Sequence, residues 1–339
     1  MIKKIFLYTS VVILLIAAFL AYKFFGPSVK AEGTQYLFIK TGSGIEDVKK
    51  ELTDKKFISS ATWFTQASKL LKYKNIKPGR YKMTSGISVF KLVRMLRSGA
   101  QTPVNLVITK LRTKEDLARR AGNIFECDSL QIIQFLNNKD SLEKFGVDTT
   151  TVMALALPLT YSINWNTTPK KIVQQLHTAW KEFWNDERKQ KATQKNLTPL
   201  QVSILSSIVD EETNKAVDRP NVASVYLNRI KTGMPLQADP TIKFAMRDFG
   251  LKRILNVHLQ TPSPYNTYIH TGLPPGPICT PQTETIDAVL NSPETDYLYF
   301  VASSKFDGTH IFTTNYTDHI KYAREYQKAL TIYLDSLKK

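Results

Sequence analysis

Residues 198–213 read TPLQVSILSSIVDEET: a threonine suited to cap a helix, a proline in the first turn, an apolar-periodic run, then three consecutive acids. The pattern predicts one long helix ending in Asp210-Glu211-Glu212. At 100° per residue, Ile204, Leu205, Ile208 and Val209 all fall within about 80° of the direction of Glu212. Asp210 lies about 160° from that direction and Glu211 about 100°, so both are expected to face water or the polar flank of the helix. Glu212 shares the apolar stripe. A carboxylate among hydrophobic side chains has its charged form disfavoured, which raises its pKa, and a general acid working near neutral pH needs that shift. The plainer reading is a helix-ending glutamate paired with Lys215, Arg219 or Arg229. Periodicity gives direction, not burial.

Downstream, RPNVASVYLNRI (219–230) predicts a second amphipathic helix, with Val222, Val225 and Tyr226 on one side. GMPLQADPT (233–241) reads as a polar loop able to present Gln237 and Asp239. Two proline-rich stretches follow, TPSPYNTY (261–268) and TGLPPGPICTP (271–281). Proline lowers the cost of ordering a loop and glycine permits unusual angles, so stiff loops of this kind suit the rim of a cleft. Tyr265, Asn266 and Tyr268 offer the flat rings and amide groups that sugar binding uses, and each also reads as an ordinary surface or packing residue. With Tyr226, Gln237 and Asp239 they form the set of candidate substrate contacts. YLYFVA (297–302) predicts a strand, and a final helix is expected over roughly 323–337.

Upstream, 125–197 is mainly helical, and KEFWNDERKQKATQKN (181–196) reads as a charged, solvent-facing helix end. Residues 36–103 predict a small module: a strand at Tyr36–Ile39, helices over Gly44–Leu52 and Ser60–Leu71, a turn and strand in KPGRYKM (77–83), and a helix over Ser88–Leu96 stopped by Gly99. VNLVIT (104–109) begins another strand and Lys114–Arg120 another helix. Strands and helices are thus mixed throughout, an α+β chain.

The first 25 residues are of a different kind. Ile5 to Tyr22 is an uncharged run of 18, mostly apolar, preceded by Lys3 and Lys4. About 20 such residues span the hydrocarbon layer, and Phe24 and Phe25 extend the run past Lys23. A cleaved signal peptide is the rival, but no small-x-small cleavage site follows. The expected organisation is a short cytoplasmic tail (1–4), a transmembrane helix (5–25), a linker (26–35), the module (36–103) and a second domain (104–339) whose motif-bearing core is 198–320. The positively charged tail orients everything after residue 30 outside the inner membrane.

Lys and Arg number 46 against 29 Asp and Glu, a formal net charge of +17, which favours acidic partners. No nucleic-acid recognition fold is evident, and a location outside the membrane argues against a nucleic-acid partner. The five histidines (177, 258, 270, 310 and 319) show no HExxH and no short Cys/His spacing, so no metal ligand set is expected. No glycine-rich phosphate loop or other cofactor motif is present. Cys127 and Cys279 form either one disulfide or two inert thiols.

The succession SIVDEET (207–213), VASVYLNRI (222–230), GMPLQADPT (233–241), PSPYNTY (262–268), TGLPPGPI (271–278) and YLYFVA…GTHIFTTNYTDH (297–319) resembles the YceG/MltG-like endolytic murein transglycosylases. KTGSGIEDVKKEL and KPGRYKMTSGISVFKLVRML resemble the LysM-like subdomain of the same family. The resemblance implies an α+β chain with an N-terminal membrane helix, a LysM-like module and a transglycosylase domain. It places the catalytic role on the last acid of the triplet, Glu212. It further implies a single-pass inner-membrane enzyme with its catalytic domain in the periplasm, cutting peptidoglycan glycan strands beside the peptidoglycan synthases. One segment departs from the pattern. Relatives carry a stretch like EGFLFPDTY where this chain has MALALPLTY (153–161), so Met153 and Leu159 replace acids.

The implied reaction is a non-hydrolytic cleavage of the β-1,4 bond between N-acetylmuramic acid and N-acetylglucosamine, leaving 1,6-anhydro ends. A muramidase hydrolysing the same bond would share Glu212 and need a held water, with Asp239 the evident helper. A non-catalytic wall-binding or scaffold protein would rely on the LysM-like module alone. An aminodeoxychorismate lyase, a label attached to some relatives, would need a pyridoxal phosphate lysine and a phosphate cup; the sequence has no glycine-rich phosphate loop, and the membrane segment places the domain on the wrong side for it.

Overall fold

The structure is a computed structural model that describes residues 2–336. Met1 of the short tail and Leu337, the expected end of the last helix, lie outside the described residues. The chain divides into two compact units, 1–105 with 124–127 and 162–168, and 106–123 with 128–161 and 169–339.

In the first unit, the helix Ile2–Phe25 is 24 residues long with none of its side chains buried, and by length and composition it can cross a membrane. Its apolar surface finds no protein partner along most of its length, as a helix facing lipid would. The module after it runs strand, helix, helix, strand, helix: Gln35–Ile39, Ile45–Asp54, Ala61–Leu70, Gly79–Met83 and Val89–Ser98. The two strands pair antiparallel, Gln35 opposite Met83 and Ile39 opposite Gly79. The residues expected to start helices prove to be caps. The Ser60 hydroxyl accepts from the Thr62 N–H, the Ser88 hydroxyl accepts from the Lys91 N–H, and Gly99 ends its helix at φ 74°. Val48, Leu52, Phe64, Tyr81, Leu92, Val93 and Leu96 fill one core, the apolar faces that the sequence marks.

The second unit is built round the helix Pro199–Glu212. Thr198 and Gln201 form a reciprocal capping box, and Pro199 occupies the first turn. Val202 through Asp210 are all buried. The helices Asp186–Gln194, Arg219–Thr232, Asp239–Met246 and Thr283–Leu290 pack round it. Serines let neighbours close in: the Ser207 hydroxyl donates to Ile204 O (2.7 Å) and accepts from the Ile278 N–H (3.0 Å). A two-stranded antiparallel sheet, Tyr299–Ala302 with His310–Thr313, lies beside the Arg219–Thr232 helix.

Three local expectations are corrected. The stretch 181–196 is no solvent-facing tail: the helix Pro169–Phe183 stops, Asn185 caps a new helix Asp186–Gln194, Trp184 is wholly buried, and Arg188 grips Asp287 at 2.8 Å. Asp239 does not sit in a loop but opens the helix Asp239–Met246, with Pro240 in its first turn. The last helix runs Tyr316–Ser336, starting earlier than expected because the Asn315 side chain bonds Asp318 through both its oxygen and its amide. The strand His310–Thr313 has no counterpart in the sequence reading. Both cysteines are buried thiols.

Candidate active site

The three acids that end the Pro199–Glu212 helix go in three directions, and two of them correct the sequence reading. Asp210 is only 3% exposed rather than solvated. It accepts a hydrogen bond from the Thr285 hydroxyl (2.6 Å), takes Lys110 Nζ at 3.1 Å, and has Arg219 at 3.7 Å. Glu211 is half-buried, held by Arg112 (2.9 Å) and Lys110 (3.0 Å). The helical wheel places both acids off the apolar stripe. It could not show that the helix is enclosed on those sides too, by cations from the 110–112 segment that lies far off in sequence.

Glu212 has a different environment. Its Oε1 accepts a 2.6 Å hydrogen bond from the Tyr226 hydroxyl, and among the described residues no cation lies within ion-pair distance of it. The three cations of the plainer reading are accounted for elsewhere. Arg219 turns to Asp210, and the Arg229 guanidinium donates to the carbonyls of Leu236 (2.7 Å) and Leu298 (2.8 Å). Lys215 is exposed. Glu212 keeps partial solvent access, yet its carboxyl is crowded by protein, and that desolvation pushes its pKa up to about 7. The Tyr226 hydrogen bond and the charges of Arg229 and Lys243 oppose the rise, while the Asp239 carboxylate adds to it.

The side chains singled out in the sequence fall into two groups. Tyr226, Asp239 and Tyr268 join Glu212. Tyr226 is fully buried, set edge-on against Phe300 (5.9 Å between ring centres), which fixes the hydroxyl that reaches Glu212. The Tyr268 hydroxyl donates to Asp239 Oδ1 at 2.6 Å, and the two stand at the solvent side of the cluster, Asp239 exposed and Tyr268 half-exposed. The other three hold the loops. Asn266 is fully buried, its amide donating to Leu259 O and Thr261 O and its oxygen accepting from the Tyr268 N–H. Tyr265 packs its ring on Phe244 (4.6 Å). Gln237 adopts φ 51°, exposed, with its N–H donating to Thr267 O. That turn, with the Ala238 N–H donating to the Thr267 hydroxyl, joins the 233–241 and 261–268 segments.

Two further residues act on Glu212. Arg229, which the plainer sequence reading offered as an ion-pair partner of Glu212, is buried three residues after Tyr226 on the same helical face, its guanidinium bonded to carbonyls and lying 5.3 Å over the Tyr299 ring. Lys243, one turn into the Asp239–Met246 helix, becomes visible only once that helix is recognised. The altered segment 153–161 is largely core: Met153 through Leu157 are buried, and the Tyr161 hydroxyl donates to Leu157 O. An acid at position 153 would have no place here without rebuilding that core.

The sequence profile of the YceG-like family matches residues 37–325. The chain is 28% identical over 308 residues to the endolytic murein transglycosylase of Bacillus subtilis (strain 168), covering 85% of this chain and 83% of that one. It is 26% identical over 324 residues to the endolytic murein transglycosylase of Streptococcus pneumoniae serotype 2 (strain D39), and there the match covers 85% of this chain but 57% of the relative's length. The crystal structure of a yceG-like protein from Listeria monocytogenes superposes with a TM-score of 0.56 at 25% identity, covering 86% of this chain and 99% of that one. With the family profile spanning both units, the chain belongs to the YceG-like family.

Proposed function

We propose that this chain is an endolytic peptidoglycan lytic transglycosylase, with Glu212 as its single acid–base catalyst. The observation that carries the reading is the Glu212 carboxyl itself, raised to about 7 by desolvation and oriented by Tyr226. A group titrating there is substantially protonated at neutral pH, so it can give its proton to the glycosidic oxygen as the bond to the muramyl C1 breaks. Left as a carboxylate, it takes the proton of the muramyl C6 hydroxyl, whose oxygen closes on C1. The atoms balance with no water added: one strand end gains a hydroxyl, the other becomes a 1,6-anhydro ring. One carboxyl serves both halves. The names carried by the Bacillus and Streptococcus relatives support the same substrate and reaction.

In this reading Tyr226 is a positioning residue, and Asp239 with Tyr268 shapes the sugar subsite at the solvent side. Asn266 and Tyr265 act through the loops they hold, and Gln237 is the exposed polar contact at the turn. The helix Ile2–Phe25 anchors the chain in the plasma membrane with everything after residue 30 on the extracytoplasmic face, and the strand–helix–helix–strand–helix module is LysM-like and meets the glycan. Work on nascent strands would place the enzyme beside peptidoglycan synthases.

Asp239 acts electrostatically on Glu212, so a hydrolytic variant of the reaction has a second carboxylate available to hold water. Mass analysis of products from purified glycan strands separates the readings. The expected outcome is anhydro-muramyl ends with wild type and none with Glu212→Gln. Products heavier by one water would assign a muramidase, and undiminished cleavage by the variant would remove Glu212 from the chemistry.

A further inference from the structure

The end of the Ile2–Phe25 helix does not run free into a linker. Phe19 and Phe24 meet the edge of Trp63 at 6.1 and 5.6 Å, and Phe25 meets Phe90 at 5.0 Å, so the module's helices Ala61–Leu70 and Val89–Ser98 dock on the last turns of the apolar helix. Beneath this aromatic cluster lies a cavity of about 410 Å³. Its lining includes Lys23, Lys30, Ser28, Ser59, Ser85 and Trp63, and no acidic side chain. Among the described residues neither lysine makes an ion pair, the nearest polar event being Lys23 Nζ 5.3 Å over the Phe19 ring.

Two lysines bordering one cavity with no acid in its lining raise the positive potential there, and an anion would be drawn to it. The depth of the cavity says which anion. At 1.5 Å per residue the 24-residue helix is about 36 Å long, against a hydrocarbon layer of about 30 Å. Lys23, third from its end, therefore comes level with the lipid headgroups, where Trp and other aromatic rings also gather. Serine hydroxyls, donors and acceptors both, complete a lining suited to phosphate oxygens. The start of the Ala61–Leu70 helix, capped by Ser60, borders the same space and adds to its positive potential.

We propose that this cavity is a binding site for the phosphate group of an anionic membrane lipid, held between Lys23 and Lys30 where the anchor leaves the bilayer. The site fixes the module to the membrane surface at the point of exit, so the anchor and the module act as one rigid foot. The inference rests on the membrane-spanning reading of the Ile2–Phe25 helix, which alkaline extraction of membranes tests separately. Release of the chain into the supernatant would overturn that reading, whereas the lipid site is measured on the detergent-solubilised chain.

The full chain in detergent micelles, titrated with phosphatidylglycerol and observed by native mass spectrometry, is expected to retain one lipid. Phosphatidylcholine, whose phosphate is neutralised by choline, is expected to be held at least tenfold more weakly. The double variant Lys23→Gln/Lys30→Gln should lose phosphatidylglycerol retention at least tenfold. Lys69→Gln/Lys74→Gln, removing equal charge from exposed positions of the same module, should keep it. Equal retention of both lipids, or equal loss in both double variants, would overturn the proposal. Competition with inorganic phosphate separates the sources: displacement assigns the site to phosphate as such, resistance assigns it to the intact lipid, and either outcome sustains phosphate recognition.

Discussion

A carboxyl whose proton is held by burial can be retuned by a single hydrogen bond. The Tyr226 hydroxyl favours the charged form of Glu212, so its removal should raise the Glu212 pKa further. Tyr226→Phe should therefore shift the alkaline limb of the pH–rate profile upward. It should also lower kcat by roughly tenfold, since a charged hydrogen bond of about 1.5–3 kcal/mol no longer orients the carboxyl. An unmoved limb with a lowered rate would make Tyr226 a packing residue only. The direction of Glu212 was readable from the sequence because 100° steps are fixed by the helix. The fate of Asp210 was not, because its partners Lys110, Arg219 and Thr285 come from three separate segments that meet only in the fold.

At the scale of elements, the Pro199–Glu212 helix is pinned at its C-terminal end by that network. Asp210 is the centre of it, and removing one member of a buried charge cluster leaves the others uncompensated. Asp210→Ala should cost roughly 3 kcal/mol in chemical denaturation. A change within error would mean that Lys110, partly open to water, satisfies itself by solvation. Elements with strong local signals were legible: the cap at Thr198, the proline at 199, and the helix stop at Gly99. The strand His310–Thr313 was not, since four residues of HIFT carry little periodicity and the pairing with Tyr299–Ala302 decides them. The Asp239–Met246 helix was hidden for a similar reason. Its first residues, Asp-Pro-Thr, read equally as turn or helix start, and the choice falls to Ile242 and Phe244 entering the core.

For the molecule as a whole, the desolvated carboxyl of Glu212 is a cost to folding. Its folded-state pKa, about 7, lies above the ordinary value of 4.5. Below 4.5 the group is protonated folded or unfolded and costs nothing. As pH rises from there the unfolded chain ionises first, and the folded state loses stability relative to it until about pH 7, where the penalty levels off. Glu212→Gln, which keeps the shape without the charge, should be more stable than wild type above pH 7 by on the order of 3 kcal/mol, with the gap closing below pH 4.5. Equal pH dependence of the two unfolding curves would contradict this. The order of motifs made the family readable from sequence alone, whereas the cluster that gives Glu212 its chemistry needed three dimensions. The most direct test is to titrate that one carboxyl, by the difference in carbon-13 carboxyl signals between labelled wild type and Glu212→Gln. A midpoint near 7 is the predicted result. A midpoint at the ordinary glutamate value would leave no resident acid at neutral pH, and with it no proton for the glycosidic oxygen.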